Sequence, residues 1–243
     1  MRRILEKALI SLVNQGRIFC SEADFQFSLA WEIQRLCGNA RVFLEKPVVV
    51  RSKTLHVDIV VLLNKQYFYI EVKYPTSHCT YSLDGETPVT LTNQSAEDLL
   101  RYDYCKDILR LYGIYSAAAD SFGGGYAIIL TNDVFIYKEP NSYNDKVLDF
   151  YFRIHERRNA NYSYPLPGRV TWNNSDKSNE HWTNSGERKY SFVIPTINTD
   201  WEDYLTIHDD NSSYQVFKYL INECNGKSFN EQLIQGIDLL FED

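Results

Sequence analysis

Two carboxylates and one ammonium group stand on a short apolar part of the chain, at Asp58, Glu71 and Lys73. Carboxylates held close together repel each other, and burial raises the pKa of at least one of them. A divalent cation removes this cost, because Mg²⁺ prefers one or two carboxylates together with several waters. The three residues therefore predict a magnesium site with a cation beside it. The alternative is a structural ion pair on an exposed sheet edge.

The segment that carries these residues predicts a β-hairpin. Residues 55–74 comprise two runs rich in Val, Ile, Phe and Tyr, which are typical of buried strands, around a polar pair at residues 64–65. A two-residue turn at that pair puts Asp58 directly opposite Glu71. Residues in opposite positions have Cβ atoms about 5 Å apart on one face, and Lys73 points to the same face.

Asp58 followed by Glu71-Val72-Lys73 resembles the signature of the PD-(D/E)XK nuclease superfamily, which has the restriction-endonuclease-like fold. Val57 stands where the signature has Pro, a residue that members of the superfamily often lack. The resemblance covers the hairpin and the helices before and after it, which together span about the first 135 residues. It identifies no characterised subfamily.

The resemblance implies a metal-dependent nuclease that hydrolyses phosphodiester bonds, most often in DNA, with a role in bacterial or phage defence or repair. Asp58, Glu71 and the backbone carbonyl of Val72 would hold Mg²⁺ or Mn²⁺. Lys73 would orient the attacking water or help to deprotonate it, and would stabilise the transition state. The alternative is a non-catalytic module that keeps the fold and binds nucleic acid or protein.

The helix expected before the hairpin begins at the N-cap Ser21 and ends at Gly38. Its apolar stripe consists of Phe25, Leu29, Ile33 and Leu36. Glu22 lies about 25° from the centre of that stripe and Glu32 about 55° from it. Many superfamily members have an extra acidic residue at this inward-facing start, so the resemblance adds Glu22 to the catalytic set. The alternative for Glu22 is a helix-dipole role, and Glu32 and Glu45 are weaker candidates for the catalytic one.

A helix is also expected after the hairpin, over residues 95–112. Its polar flanks carry charges at helical spacing, at Asp103, Lys106, Asp107 and Arg110. This pattern favours a solvated, ion-paired face, and the alternative makes Lys106 and Arg110 phosphate contacts. Arg153 and Arg157, one turn apart on a further expected helix, are also candidate nucleic-acid contacts.

Other parts of the chain give coarser expectations. Residues 75–94 are expected to be a long loop, and residues 123–125, three glycines, a flexible turn. Strands are expected at residues 41–50, 126–130, 169–172, 190–194 and 201–205, and helices at residues 4–15, 143–158, 214–223 and 230–241.

The fold class expected is α/β, with a restriction-endonuclease-like central mixed sheet flanked by helices and an α+β C-terminal extension. Residues 1–158 would form the nuclease-like core and residues 159–243 the extension. Residue 165 to the end carries 6 basic and 13 acidic residues, whereas residues 1–164 carry 19 of each, so the net charge of −7 falls on the C-terminal part. The extension could recognise substrate, form a homodimer or bind a partner, and the sequence does not choose between these roles.

Composition narrows the setting. No apolar run approaches the roughly 20 residues of a membrane span, so no membrane partner is expected. The 5 cysteines are scattered without a C-x-x-C pair. This fits reduced thiols in a cytoplasmic protein.

Overall fold

The computed structural model of the chain describes residues 1–82, 88–93, 97–140, 153–156, 170–172, 190–192, 197–208, 213–226, 237 and 241. The helices are α1 (Arg2–Asn14), α2 (Glu22–Leu36), α3 (Glu97–Ala118) and the short α4 (Val134–Tyr137). The strands are β1 (Arg41–Val50), β2 (Lys53–Leu63), β3 (Gln66–Lys73), β4 (Cys79–Tyr81), β5 (Val89–Leu91), β6 (Phe122–Thr131), β7 (Val170–Trp172), β8 (Tyr190–Phe192), β9 (Glu202–His208) and β10 (Tyr214–Cys224).

Six of these strands form one mixed sheet in the order β1-β2-β3-β6-β10-β9. β3 and β6 are parallel, and the chain crosses between them through α3, whereas every other neighbouring pair is antiparallel. Helices cover both faces: one buried core joins the sheet to α1 and α2, and the other joins it to α3. The predicted α/β class and mixed, helix-flanked sheet are confirmed.

The predicted hairpin is present with its predicted register. Asn64 and Lys65 both have positive φ, 52° and 67°, as a tight two-residue turn requires. Leu63 pairs with Gln66, and the ladder continues to residues 59 and 70.

The helices before and after the hairpin are also confirmed. Ser21 caps α2, and its hydroxyl accepts a hydrogen bond from the backbone N–H of Asp24 at 3.1 Å. α3 continues six residues beyond the expected end at residue 112. It includes Gly113, where a Cβ would lie 2.7 Å from the ring of Phe241, so this glycine serves close packing rather than helix termination.

Two predictions on the C-terminal side of the sheet are wrong. Residues 214–223, expected to be helical, lie in β10, because a strand buried between β6 and β9 is apolar without strict alternation and so resembles a helix face. The glycines at residues 123–125 lie inside β6 rather than in a turn. A Cβ on Gly123 would lie 2.6 Å from the ring of Phe68, so the glycine lets β3 and β6 approach.

The expected loop over residues 75–94 contains a small ladder, in which β4 and β5 pair. β7, β8 and β9 overlap three of the expected strands, and β7 pairs with β8. Of the helix expected over residues 143–158, only residues 153–156 are described, and they are not helical. Of the one expected over residues 230–241, Ile237 and Phe241 alone are described, and both are helical and buried.

The proposed boundary between residues 158 and 159 lies outside the described residues. β9 and β10, from the expected extension, lie in the same sheet as the hairpin, with β10 against β6. No described helix is both long enough and apolar enough to cross a membrane. Cytoplasmic location stays a prediction.

Candidate active site

The strand ladder of the hairpin ends where Asp58 and Glu71 face each other. The last paired residues are Ile59 and Ile70. Beyond them, the backbone N–H of Val72 donates a hydrogen bond to the side-chain Oδ2 of Asp58 at 2.7 Å, in place of a further backbone hydrogen bond. The Asp58 and Glu71 carboxyl groups are also close enough to interact electrostatically.

β2 changes its packing at Asp58. Ile59 packs in the core formed with α1 and α2, whereas Val57, two residues earlier, packs in the core formed with α3. Opposite this point on β1, Glu45 has a positive φ of 49°, a left-handed conformation that few residues other than glycine adopt. The side of β2 that packs toward α3 therefore changes at this point.

Glu71 is the most constrained acid of the group. It is only 2% exposed, and within the described residues its Oε1 is buried without a hydrogen-bond partner. The nearest cation is Arg110, whose Nη2 lies 3.5 Å from Oε1, longer than an ordinary hydrogen bond. Burial, followed by the neighbouring Asp107 carboxylate, raises the pKa of Glu71 well above its ordinary value. Burial and the neighbouring acids therefore oppose ionisation of Glu71.

α3 brings an acid and a cation to this point. Arg110 Nη1 lies 2.8 Å from Asp107 Oδ1, and its Nη2 donates to the backbone carbonyl of His56 at 3.1 Å. The ion pairs predicted along this face of α3 are confirmed, but Asp107 is 2% exposed, so its predicted solvation is wrong. Its spacing from the buried Tyr104 and Leu111, by three and four residues, is the signal that would have placed Asp107 inward.

Lys73 joins the hairpin to α3. Its Nζ lies 3.0 Å from Asp107 Oδ2, an ion pair that lacks hydrogen-bond geometry. Burial alone would lower the pKa of Lys73, but nearby carboxylates, above all Asp107 and then Glu22, outweigh it and raise that pKa. Lys73 is consequently held as a charged ammonium group.

Glu22 lies at the start of α2, and its Oε2 accepts a hydrogen bond from the backbone N–H of Tyr74 at 2.9 Å. Burial raises the pKa of Glu22, although the charge of Lys73 opposes the shift, and Asp58 raises it further. Glu32 instead forms an ion pair with Arg35 at 2.8 Å. Of the acidic candidates outside the hairpin, Glu22 has direct electrostatic contact with the pair.

Gln26 is a site residue that the sequence did not single out. It is 6% exposed, and its Nε2 lies 2.7 Å from both Glu45 Oε1 and the backbone carbonyl of Asp58. One turn after Glu22 on α2, it ties the helix and the irregular part of β1 to the strand position of Asp58. A buried glutamine on an otherwise apolar helix face was the available signal.

The group as a whole has an excess of negative charge. Its acids are Glu22, Asp58, Glu71 and Asp107, and its cations are Lys73 and Arg110. Fully ionised, it would carry a net charge of about −2, which one divalent cation neutralises. The Asp58 and Glu71 oxygens are the hard ligands that Mg²⁺ prefers, and Mg²⁺ needs no more than one or two carboxylates. Within the described residues, no three or more His, Cys, Asp or Glu side chains are arranged as a metal site.

The remaining candidate contacts are Lys106, Arg153 and Arg157. Lys106 forms an ion pair with Asp103 on α3, and its ammonium lies 5.3 Å from the centre of the Tyr102 ring. Arg153 is half-buried, and Arg157 lies outside the described residues. Their roles stay predictions. Comparisons with protein-family models, curated proteins and solved structures found no match to this chain.

Proposed function

We propose that the chain is a metal-dependent nuclease of the restriction-endonuclease-like fold that hydrolyses phosphodiester bonds in DNA. The proposal rests on the resemblance of Asp58 and Glu71-Val72-Lys73 to the superfamily signature and on the surroundings of these residues. The helices before and after the hairpin cover opposite faces of a mixed sheet, as the proposed fold requires. DNA is the substrate by analogy with the superfamily.

One observation carries the proposal: Glu71 is buried against Asp58 with an oxygen that has no hydrogen-bond partner among the described residues. Burying such a carboxyl costs free energy, of order 1–3 kcal/mol for an unsatisfied polar group. A fold that needed only an ion pair would gain by satisfying both oxygens. A pair that binds a cation during function accounts for this cost.

In this proposal, Asp58 and Glu71 hold Mg²⁺ or Mn²⁺ through carboxylate oxygens, with the Val72 carbonyl as the third ligand that the resemblance implies. The bound ion supplies Lewis-acid stabilisation of the charge that develops on the scissile phosphate. Carboxylates bind a metal in their ionised form, and burial raises the pKa of both Glu71 and Asp58, so metal affinity should rise with pH.

Lys73 has the role of orienting the attacking water and stabilising negative charge on the phosphate. Its raised pKa favours the protonated form, which donates hydrogen bonds, over a role as the base. Asp107 positions this ammonium group, and Arg110 is placed near Glu71 to contact a phosphate oxygen.

The test combines binding with cleavage. Calorimetric titration of Mn²⁺ should show one site in the wild-type protein and weaker or absent binding in Glu71→Gln. Supercoiled plasmid and single-stranded circular DNA should be cut with Mg²⁺ or Mn²⁺ and left intact with EDTA. DNA binding without metal binding or cleavage would favour the non-catalytic module, and neither activity would overturn both.

A further inference from the structure

The β1–β2 hairpin extends beyond the rest of the sheet as a ribbon of two strands. β3 pairs with β2 only over residues 59–63, whereas β1 and β2 remain paired as far as Val50 and Lys53. Residues 46–57, here called the arm, form this ribbon. It begins one residue before Asp58, so its base adjoins the candidate active site.

The arm is basic in a chain whose acidic residues are in excess. It contains Lys46, Arg51 and Lys53 and no Asp or Glu, whereas the whole chain has 32 acidic and 25 basic residues. Arg51 is exposed at the tip, and Val49 is 64% exposed on the outer face. Three basic residues among twelve, in a protein of net charge −7, favour a polyanionic partner for this segment.

The arm is held in place from its inner side. Val50 is fully buried, and the partly buried Val48 and Leu55 pack against the same core, which includes residues of α3. At its base, the His56 carbonyl accepts a hydrogen bond from Arg110, the guanidinium that also lies beside Glu71. The arm is thus ordered before a ligand arrives, which lowers the entropic cost of binding.

The direction of the arm follows from the change in packing at Asp58. Because Val57 packs in the core formed with α3, the arm lies on the side of the sheet where Lys73 pairs with Asp107. The tip is five residues from Val57, so at about 3.3 Å per residue the arm reaches about 16 Å from its base. Duplex DNA has one phosphate charge per about 1.7 Å of its axis, counting both strands, which is two phosphates per base pair. A reach of about 16 Å therefore covers about five base pairs.

We propose that the arm lies along the backbone of duplex DNA next to the scissile phosphate and holds the substrate there. This inference rests on the proposed nuclease function and adds a surface to it. The basic residues of the arm contact phosphates, and Arg110 links this surface to the acidic pair.

The test measures binding without cleavage. In an Asp58→Asn background, fluorescence anisotropy with a labelled 20-base-pair duplex (about two arm lengths on each side of the site) gives the affinity as a function of salt. Neutralising the arm with Lys46→Gln, Arg51→Gln and Lys53→Gln should weaken binding by about tenfold or more. Plotted as log K against log salt, binding has a negative slope. The triple variant should reduce the magnitude of this slope by about 2 to 3, because each lost phosphate contact removes about 0.9.

A matched control has the same change in charge. Lys7→Gln, Arg41→Gln and Lys65→Gln neutralise three exposed residues on α1, at the start of β1 and in the β2–β3 turn. This control should keep the parent slope. If both triple variants lower the slope equally, the arm has no special contact and the inference is overturned while the proposed function stands.

Two further outcomes complete the test. If the Asp58→Asn parent does not bind the duplex at all, the arm inference is overturned, and the cleavage assay and Mn²⁺ titration of the wild-type protein decide the proposed function separately. If the triple arm variant does not fold, Arg51→Gln alone decides, because its side chain is exposed at the tip. A fall of about 0.9 in the slope supports the arm, and an unchanged slope overturns it.

Discussion

Glu32 and Glu71 are both buried glutamates, 4% and 2% exposed, but their surroundings differ. Glu32 Oε2 accepts from Arg35 Nε at 2.9 Å, and its Oε1 accepts from Gln15 at 3.1 Å. Glu71 has a guanidinium at 3.5 Å and an oxygen without a hydrogen-bond partner in the described part of the chain. The fold supplies hydrogen-bond donors to both oxygens of Glu32 but none, among the described residues, to Oε1 of Glu71.

The pKa values of the two residues shift in opposite directions for this reason. The hydrogen bond from Arg35 lowers the pKa of Glu32, because it stabilises the ionised form. Burial raises the pKa of Glu71, and Asp107 adds to the shift. Depth alone therefore does not mark a functional acid. What distinguishes Glu71 is burial without enough partners, and each prediction below compares its site with that of Glu32.

The largest difference is expected from removing a proposed metal ligand. Asp58→Asn should reduce cleavage by at least about 10³-fold and weaken Mn²⁺ binding, because it removes a charged ligand and the developing charge goes uncompensated. The amide oxygen can still accept from the Val72 N–H, so the hairpin should stay folded. A cleavage time course and calorimetry measure the two effects. Glu32→Gln is the control. Equal losses of cleavage and Mn²⁺ binding in both variants would contradict the difference proposed between the two sites.

A second comparison removes one cation from each site. Lys73→Ala should slow cleavage by about 10²–10³-fold, the usual effect of losing one preorganised charged contact. It should leave Mn²⁺ affinity intact or slightly improved, because an ammonium group repels a nearby dication. Arg35→Ala, which removes the partner of Glu32, should leave both unchanged. If Lys73→Ala cleaved DNA at the wild-type rate, Lys73 would be only an ion-pair partner of Asp107.

A smaller effect is expected at Glu22, which contacts the site without being a proposed ligand. Glu22→Gln keeps an acceptor for the Tyr74 N–H but removes the charge near Asp58 and Lys73. Loss of such supporting contacts typically costs about 10–100-fold in activity. Glu32→Gln is the matched control on the same helix and should keep the wild-type rate, and comparison of cleavage rates at saturating Mn²⁺ tests both. Equal rates for Glu22→Gln and the wild type would restrict Glu22 to helix capping.

The sequence predicted what depends on local pattern. The strand period and the turn at residues 64–65 determine the hairpin register, so the sequence alone was enough to predict the pairing from Leu63–Gln66 to Ile59–Ile70. Capping signals likewise indicated the start of α2. Both are set by residues close together in the chain.

The rest depends on packing between distant segments. Asp107 is 34 residues beyond Lys73, and which face of α3 turns inward depends on how the helix meets the sheet. The change in packing of β2 at Asp58 accompanies the left-handed conformation of Glu45 in another strand, and sequence period carries no sign of it. β10 has the same difficulty, because a strand covered on both sides loses the alternation that identifies strands.

The smallest difference should appear in stability without metal. Because the folded-state pKa of Glu71 is raised, the folded state binds more protons than the unfolded state between pH 4.5 and that pKa. The wild-type protein should therefore lose stability as pH rises through this window, by about 1.4 kcal/mol for each pH unit that the window spans. Glu71→Gln cannot ionise, so it should lose less stability than the wild type between pH 5 and pH 8, and the remaining loss comes from Glu22 and Asp58, whose pKa values are also raised. Glu32 has the opposite sign, because its lowered pKa gives stability that is present above pH 4.5 and lost as pH falls through the folded-state pKa. Glu32→Gln should consequently be less stable than the wild type at neutral pH, with the difference closing in acid.

Urea unfolding of the three proteins in EDTA across this pH range measures both trends. If Glu71→Gln lost stability with rising pH as the wild type does, Glu71 would not be the strained carboxyl, and the contrast between the two sites would fail.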